Sequence, residues 1–221
     1  MRLGFHIHTK YSFDSLMDPR EILKTCKKIK VDTVCITDHN SILGSIKAKK
    51  YEKEIGVSVI LGEEVRTQYG EVIGVYINEE ISSRDFDEVI DEIRSQGGIS
   101  VLPHPFRGHK NVEYLASRVD VVEVWNGHST PEENAKALEL ALKLKKPAIV
   151  GSDAHFYSEI KNAITECGSI LDQEKKFYTA YPSPYVKELS NIVGHVRRGR
   201  IWNVVKPVYR MAKETIKFMF R

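Results

Sequence analysis

Short runs rich in β-branched residues alternate with longer stretches of helical periodicity along most of the chain, and no other feature constrains the fold as much. Leu3–His8, Thr33–Thr37, Val57–Val65, Glu71–Ile77, Ile99–Leu102, Val119–Val124, Ala148–Gly151 and Ile164–Leu171 read as strands. Pro19–Ile29, Ser41–Glu54, Ser83–Ser95, Val112–Ala116, Pro131–Leu144 and Pro184–Arg198 read as helices. Asp18-Pro19 and Thr130-Pro131 each place a capping side chain before a proline at the first helical position. Repeated strand–helix alternation implies parallel strands with crossover helices, hence an α/β barrel or an open doubly wound sheet. With no internal repeat or low-complexity linker, the expectation is one domain over residues 1–200 and a basic extension over 201–221.

The predicted strands end in an unusual set of polar residues. The first ends in His6 and His8, which alternation puts on one face of the strand. The second runs into Thr37-Asp38-His39 and the third into Gly62-Glu63-Glu64. Later strands lead to Pro103-His104-Pro105, to Glu123 through His128, and to Gly151-Ser152-Asp153-Ala154-His155. Of eight histidines, only His109 and His195 fall outside this pattern. Loops at the C-terminal ends of strands converge in barrels and doubly wound sheets, so these separated groups are expected to meet. Imidazoles mixed with carboxylates, without thiolates, suit Zn²⁺, Mn²⁺ or Fe²⁺. Six histidines with Asp14, Glu64 and Asp153 exceed the needs of one tetrahedral ion, which implies two or three ions and a bridging carboxylate. Such clusters activate water and clamp phosphoryl oxygens, so hydrolysis is the indicated chemistry.

H-x-H followed by S-x-D, then TDHN, G-E-E, PHP, E-V-W-N and GSDAH occur in the order seen in the PHP (polymerase and histidinol phosphatase) family, which residues 3–156 resemble. The resemblance implies a distorted (β/α)7 TIM-like barrel with its metal site at the C-terminal ends of the strands. It also implies a phosphoesterase that attacks a phosphate monoester, such as a nucleotide, with a metal-bound hydroxide. Carried over motif by motif, it makes His6 and His8 ligands of one ion, with Glu64 and Asp153 bridging. His104 and His128 complete a second ion; Asp14, His39 and His155 hold a third. Asn126 competes locally with His128, and Glu64 is preferred to Glu63 on the family's G-x-E spacing. Asp14 stands where some relatives have histidine, which would weaken the third site. Asp153 and His155, with Arg107, form the expected catalytic group. The family also contains exonucleases and polymerase-attached modules, so a nuclease and a non-catalytic metal-binding module are the alternatives.

Other residues lie near these motifs. Arg66 and Arg107 follow metal-bearing strands and are candidate phosphate-binding groups, since a guanidinium grips phosphate oxygens in pairs. Asp38 is expected to orient a ligand. Lys10, His109 as a general acid, and Phe106 and Trp125 as stacking surfaces are weaker candidates. Three scattered cysteines make no C-x-x-C pair, and neither a leader nor a bilayer-spanning run is visible, so a reducing cytoplasm is expected. Residues 196–221 hold eight Lys or Arg against Glu214, a net +7; with +3 for the whole chain, residues 1–195 carry −4. The basic character therefore belongs to the tail, which touches nucleic-acid phosphates or a membrane surface, or packs one face on its own domain. The packed tail is the expectation. A small phosphorylated substrate is the expected partner, and nucleic acid the second.

Overall fold

Residues 1–219 are described in this computed structural model, with side chains through Lys213. Nine strands form one sheet: β1 (Arg2–Ile7), β2 (Thr33–His39), β3 (Ser58–Thr67), β4 (Gly70–Val75), β5 (Ile99–Leu102), β6 (Val121–Asn126), β7 (Ala148–Gly151), β8 (Ala163–Glu166) and β9 (Lys176–Thr179). Their spatial order is β7-β6-β5-β4-β3-β2-β1-β8-β9. The helices are α1 (Pro19–Lys28), α2 (Leu43–Lys49), α3 (Glu52–Ile55), α4 (Phe86–Ser95), α5 (Val112–Arg118), α6 (Pro131–Lys143), α7 (Pro184–Arg197) and α8 (Val205–Met219).

The sheet curls until β1 meets the chain leaving β7. Arg2–Gly4 pair with β8, but beyond them the partner changes. The Ser152 amide donates to the Phe5 carbonyl at 3.0 Å, Ala154 to His6 at 3.1 Å, and His8 back to Ala154 at 2.9 Å. β1 to β7 are thus the staves of a nearly closed, distorted TIM-like barrel, and β8–β9 extend the sheet past the seam. Leu3, Phe5, Cys35, Ile60, Ile73, Val101, Val121 and Ile149 fill the barrel's interior. Outside it, Ile22, Leu23 and Cys26 of α1 pack against Val34 and Ile36, and Phe86, Val89, Ile90 and Ile93 of α4 pack against Val72 and Leu102. Burying each such large apolar side chain contributes about 1.5–3 kcal/mol.

Parallel pairing does not hold throughout. β3–β4 and β4–β5 are antiparallel, as are β1–β8 and β8–β9. Only Gln68 and Tyr69 separate β3 from β4, far too few for a crossover. Gly70 turns the corner at φ +135°, a conformation open to glycine, and the Thr67 hydroxyl closes the turn on its carbonyl at 2.8 Å. Reversal puts the start of β4, with Glu71, at the end of the barrel where β3 and β5 finish. The helix read over 41–54 is two helices, interrupted at Lys50–Tyr51, and Gly56 at φ +74° ends the second. β9 escapes a pattern reading because all four of its residues are exposed and none alternates.

Glu63 and Glu64 lie on opposite faces of β3. Glu63 is buried away from the barrel mouth and accepts the Ile81 amide at 3.0 Å. Burial pushes its pKa up to about 7, against the pull of that amide. A raised carboxylate favours the folded state while protonated, so stability is lost as pH rises from the ordinary 4.5 to 7. Glu63→Gln is expected to flatten thermal stability across that window and to raise it above pH 7, by about 3 kcal/mol at the outside. Melting curves between pH 5 and 8 check this.

Candidate metal centre

In a regular strand Leu3, Phe5 and Ile7 would share the interior face and His6 would point outward. A register shift between Gly4 and Ile7, with His6 at φ +61°, breaks that pattern. Phe5 stays in the interior, whereas Ile7 joins the outer core. The bulge therefore turns both His6 and His8 into the mouth, their rings 5.2 Å apart. His104 (φ +29°) and Asp153 (φ +52°) also occupy the left-handed region, so three expected ligands stand on strained backbone.

These groups converge on Glu64. Its carboxylate lies 3.0 Å from His39 Nδ1, 3.1 Å from His104 Nε2, 3.4 Å from His6 Nε2 and 3.6 Å from His8 Nε2. Asp153 Oδ1 lies 3.2 Å from His8 Nε2 and 3.6 Å from His6 Nε2. Asp14 Oδ2 sits 3.0 Å from His39 Nε2 and 3.2 Å from His155 Nε2. Set beside the expected grouping, three sets of donor atoms mutually within 4.8 Å are His6, His8 and Glu64; His6, His104 and Asp153; and His8, Asp14, His39 and His155, so that His6 also joins the His104 set and His8 the Asp14 set. His128 departs from that grouping. Its Nε2 meets Glu159 at 2.8 Å, and it shares a donor set with His155 and Glu159; among the described residues no set holds both His104 and His128.

The donor set fits divalent cations. His6 Nε2, His8 Nε2 and Glu64 Oε2 are buried without a hydrogen-bond partner, yet they lie in one donor cluster. Leaving several such atoms unpaired is costly unless another group satisfies them. Charge points the same way. Burial alone would raise the Glu64, Asp153 and Asp14 carboxyls. His6 and His39 around Glu64, Arg107 and His6 around Asp153, and His155 beside Asp14 override it and hold all three well below the usual range. Burial would also discharge His6 and His39, but Glu123, Glu64 and Asp14 hold both well above their ordinary value. His155 is raised to about 9 against burial, chiefly by Asp14. Burial and then the neighbouring His155 push His8 down to about 4.

Supporting groups fix the ligands. Glu123, in a bulge of β6, accepts from His6 Nδ1 at 2.8 Å, from the His104 amide at 2.7 Å and from Asn126 Nδ2 at 2.9 Å. Asp38 acts through the backbone: it accepts the Thr9 amide and hydroxyl at 2.5 and 2.6 Å, fixing the turn after His8. The glycine of GSDAH is explained by Glu123. A Cβ at Gly151 would stand 1.8 Å from Glu123 Oε1 and 2.9 Å from His6 Cβ. Gly151→Ala is expected to destabilise the protein by about 3 kcal/mol and to weaken metal uptake, read by melting and metal analysis.

Several contributors have no strand-end signal. Glu71, at the start of β4, shares a donor set with His39 and Glu64. α7 lies along the mouth, and Lys187, Ser190, Asn191, Gly194 and Arg198 line a cavity of about 240 Å³ with Asp14, His39, Glu64, Arg107, Asp153 and His155. Their spacing is one helical face, and Ser190-Asn191 or Gly194 alone carry no chemical signature in sequence. Arg197 fastens α7 by donating to the Ser15 and Lys10 carbonyls at 2.7 and 3.0 Å. Arg198 lies 4.0 Å over the Phe13 ring, whose other neighbour is His39, stacked at 4.7 Å.

Arg107 donates to Asn126 Oδ1 at 2.9 Å and to Asp153 Oδ2 at 2.5 Å, inside the cavity. Arg66 is exposed outside it, with its amide on Asn40 Oδ1 at 3.0 Å. His109 packs over Gly70 with Nε2 at the Glu71 main chain, and burial lowers it to about 4. Lys10 pairs with Asp18 at 2.7 Å, and Trp125 packs at a tilt against Tyr181 in an apolar groove away from the mouth.

Comparisons with known proteins agree with this architecture. An uncharacterized protein of Methanocaldococcus jannaschii is 41% identical over 144 residues, which cover 58% of this chain and 83% of that protein. A second from the same organism is 38% identical over 177 residues, covering 74% of this chain and 69% of its own length. The fold superposes with a TM-score of 0.68, at 18% identity, on a two-domain Bacteroides vulgatus protein described as containing a predicted PHP-like metal-dependent phosphoesterase. That match covers 81% of this chain and 64% of the other. The model of the PHP domain matches residues 4–220, and with all but the chain's outermost residues inside that match, the chain belongs to the PHP domain family.

Proposed function

We propose that this chain is a metal-dependent phosphoesterase acting on a small phosphate monoester such as a nucleotide or sugar phosphate. One observation supports the reading: one cavity is lined by Glu64, whose Oε2 has no hydrogen-bond partner, with Asp14, His39, Asp153 and His155, and by the cations Arg107, Lys187 and Arg198. Two or three divalent ions, of the Mn²⁺, Zn²⁺ or Fe²⁺ type, would be held by His6, His8 and Glu64, by His6, His104 and Asp153, and by His8, Asp14, His39 and His155. When bound, such ions supply an activated water and neutralise phosphoryl charge.

The chain's own residues do the rest. Arg107 is fixed by Asn126 and Asp153, so its guanidinium is already oriented before a phosphate arrives. Lys187, anchored on the His128 carbonyl, and Arg198, laid on Phe13, present cations from α7. α7 narrows the mouth to a volume suited to a small ester, which sets the nuclease reading second. Lys187→Ala and Arg198→Ala are each expected to raise KM about tenfold or more while changing kcat less, since they hold phosphate in ground and transition states alike.

The test is a screen of nucleotides, sugar phosphates and short oligonucleotides with Mn²⁺, Zn²⁺ and Fe²⁺ in parallel. Metal-dependent phosphate release that His8→Ala and Asp153→Asn abolish supports the proposal. Cleavage of oligonucleotides alone selects the nuclease, and stoichiometric metal without turnover on any ester selects a binding module.

A further inference from the structure

Among the described residues of the basic tail, one side packs on the body and another leaves apolar side chains in water. α8 rests on α7 through one side, where Pro207 is buried, Val204 and Met211 are half-buried, and Arg210 pairs with Glu188 at 3.4 Å. At 3.6 residues per turn, Val205, Val208, Tyr209 and Ala212 form a second stripe, and all four are exposed. Lys206, Arg210 and Lys213 form a third along its flank. Ile201 and Trp202, in the turn before α8, are exposed too; Trp202, 91% exposed, lies beside Lys206, Pro207 and Arg210. Large apolar side chains gathered on one exposed face mark an interaction site.

We propose that this face lies on the surface of an anionic lipid bilayer. An aliphatic and aromatic stripe edged by a row of cations, with tryptophan at its end, matches the division between acyl chains and anionic headgroups. Charge complementarity favours that occupant over two others. Nucleic acid would engage the cations and leave Val205 and Val208 in water, and a symmetric antiparallel pair of α8 faces would set each cation row beside its copy. Among the described residues no helix is long and apolar enough to cross a membrane, so the contact is peripheral.

The test is co-sedimentation of the full chain with vesicles of phosphatidylcholine alone and of equal parts phosphatidylcholine and phosphatidylserine. Binding is expected only to the anionic vesicles, with a blue shift of tryptophan emission that Trp202→Phe largely removes. The exposed pair Val205→Asp/Val208→Asp is expected to weaken partition at least tenfold. Lys206→Ala and Lys213→Ala are expected to weaken it about fivefold each. Circular dichroism identifies any variant that has lost its fold, and the lysine variants, altered only at exposed tips, decide the matter independently. No partition into anionic vesicles, or equal partition by the aspartate pair, overturns the proposal. So does concentration-dependent dimerisation without vesicle binding, or oligonucleotide binding that the aspartate pair leaves intact.

Discussion

Glu64→Gln is expected to reduce metal-dependent turnover by about a thousandfold or more and to lower the bound metal by at least one equivalent. The reason is positional. Four imidazole nitrogens lie within 3.0 to 3.6 Å of this one buried carboxylate. A glutamine of the same shape keeps the packing but offers one neutral oxygen in place of a charged carboxylate, and its amide would direct protons at the surrounding imidazole nitrogens that would otherwise be free to hold a metal. A thousandfold loss corresponds to about 4 kcal/mol of transition-state stabilisation, in the range seen when one partner is removed from a buried charged network. Element analysis of the purified variant, alongside steady-state rates with saturating metal, separates lost binding from lost chemistry. Near-wild-type rates in a variant with full metal content would remove Glu64 from the centre of the site.

Most of that candidate site was legible because its metal-binding side-chain types cluster at strand termini. His39, Glu64, His104, Asp153 and His155 all follow from asking where each predicted strand ends. An alternation argument put His6 and His8 on one face, and both rings do lie at the mouth, but not by regular alternation: the bulge at His6 makes two successive side chains, Phe5 and His6, face inward. Nothing local in the run Leu3–His8 announces that bulge, because it is imposed by the switch of β1 from β8 to the chain beyond β7.

Glu71 was missed for a related reason. A census of C-terminal ends assumes parallel strands, and the two-residue Gln68-Tyr69 connection reverses β4 so that its beginning lies at the mouth. Sequence separation hid Glu159, Lys187 and Arg198: they come from a 3₁₀ turn and a helix whose positions depend on long-range docking, such as that of Arg197 on the loop after β1. The tail was read only in part: its amphipathic pattern suggested a face packed on the body, and α8 does rest on α7 through Pro207, but a second apolar stripe with Val205 and Val208 faces solvent.

The metal-free protein is expected to lose stability between pH 6.5 and about 9 and to regain it when divalent metal is added. His155 fixes the upper limit: Asp14 and Asp153 overcome burial and lift it from 6.5 to about 9. A raised histidine stabilises the fold fully below its unfolded pKa, and that contribution is lost as pH climbs through the folded value. For His155 alone this amounts to about 3 kcal/mol, and His6 and His39, raised by their own carboxylates, act in the same direction. His8 has the opposite sign, but its lowered value of about 4 confines its effect to pH below 6.5. Within the window, therefore, the carboxylates progressively lose their imidazolium partners and are left buried together. A divalent cation replaces those partners and binds the neutral imidazole, so its affinity rises with pH. The melting temperature of chelator-treated protein should fall from pH 6.5 to 9, and the increase on adding Mn²⁺ or Zn²⁺ should grow over the same range. A metal-induced increase that shrinks with pH would mean that the histidines do not bind the ion, and an apo profile that is flat would mean that they are not paired with Glu64 and Asp14.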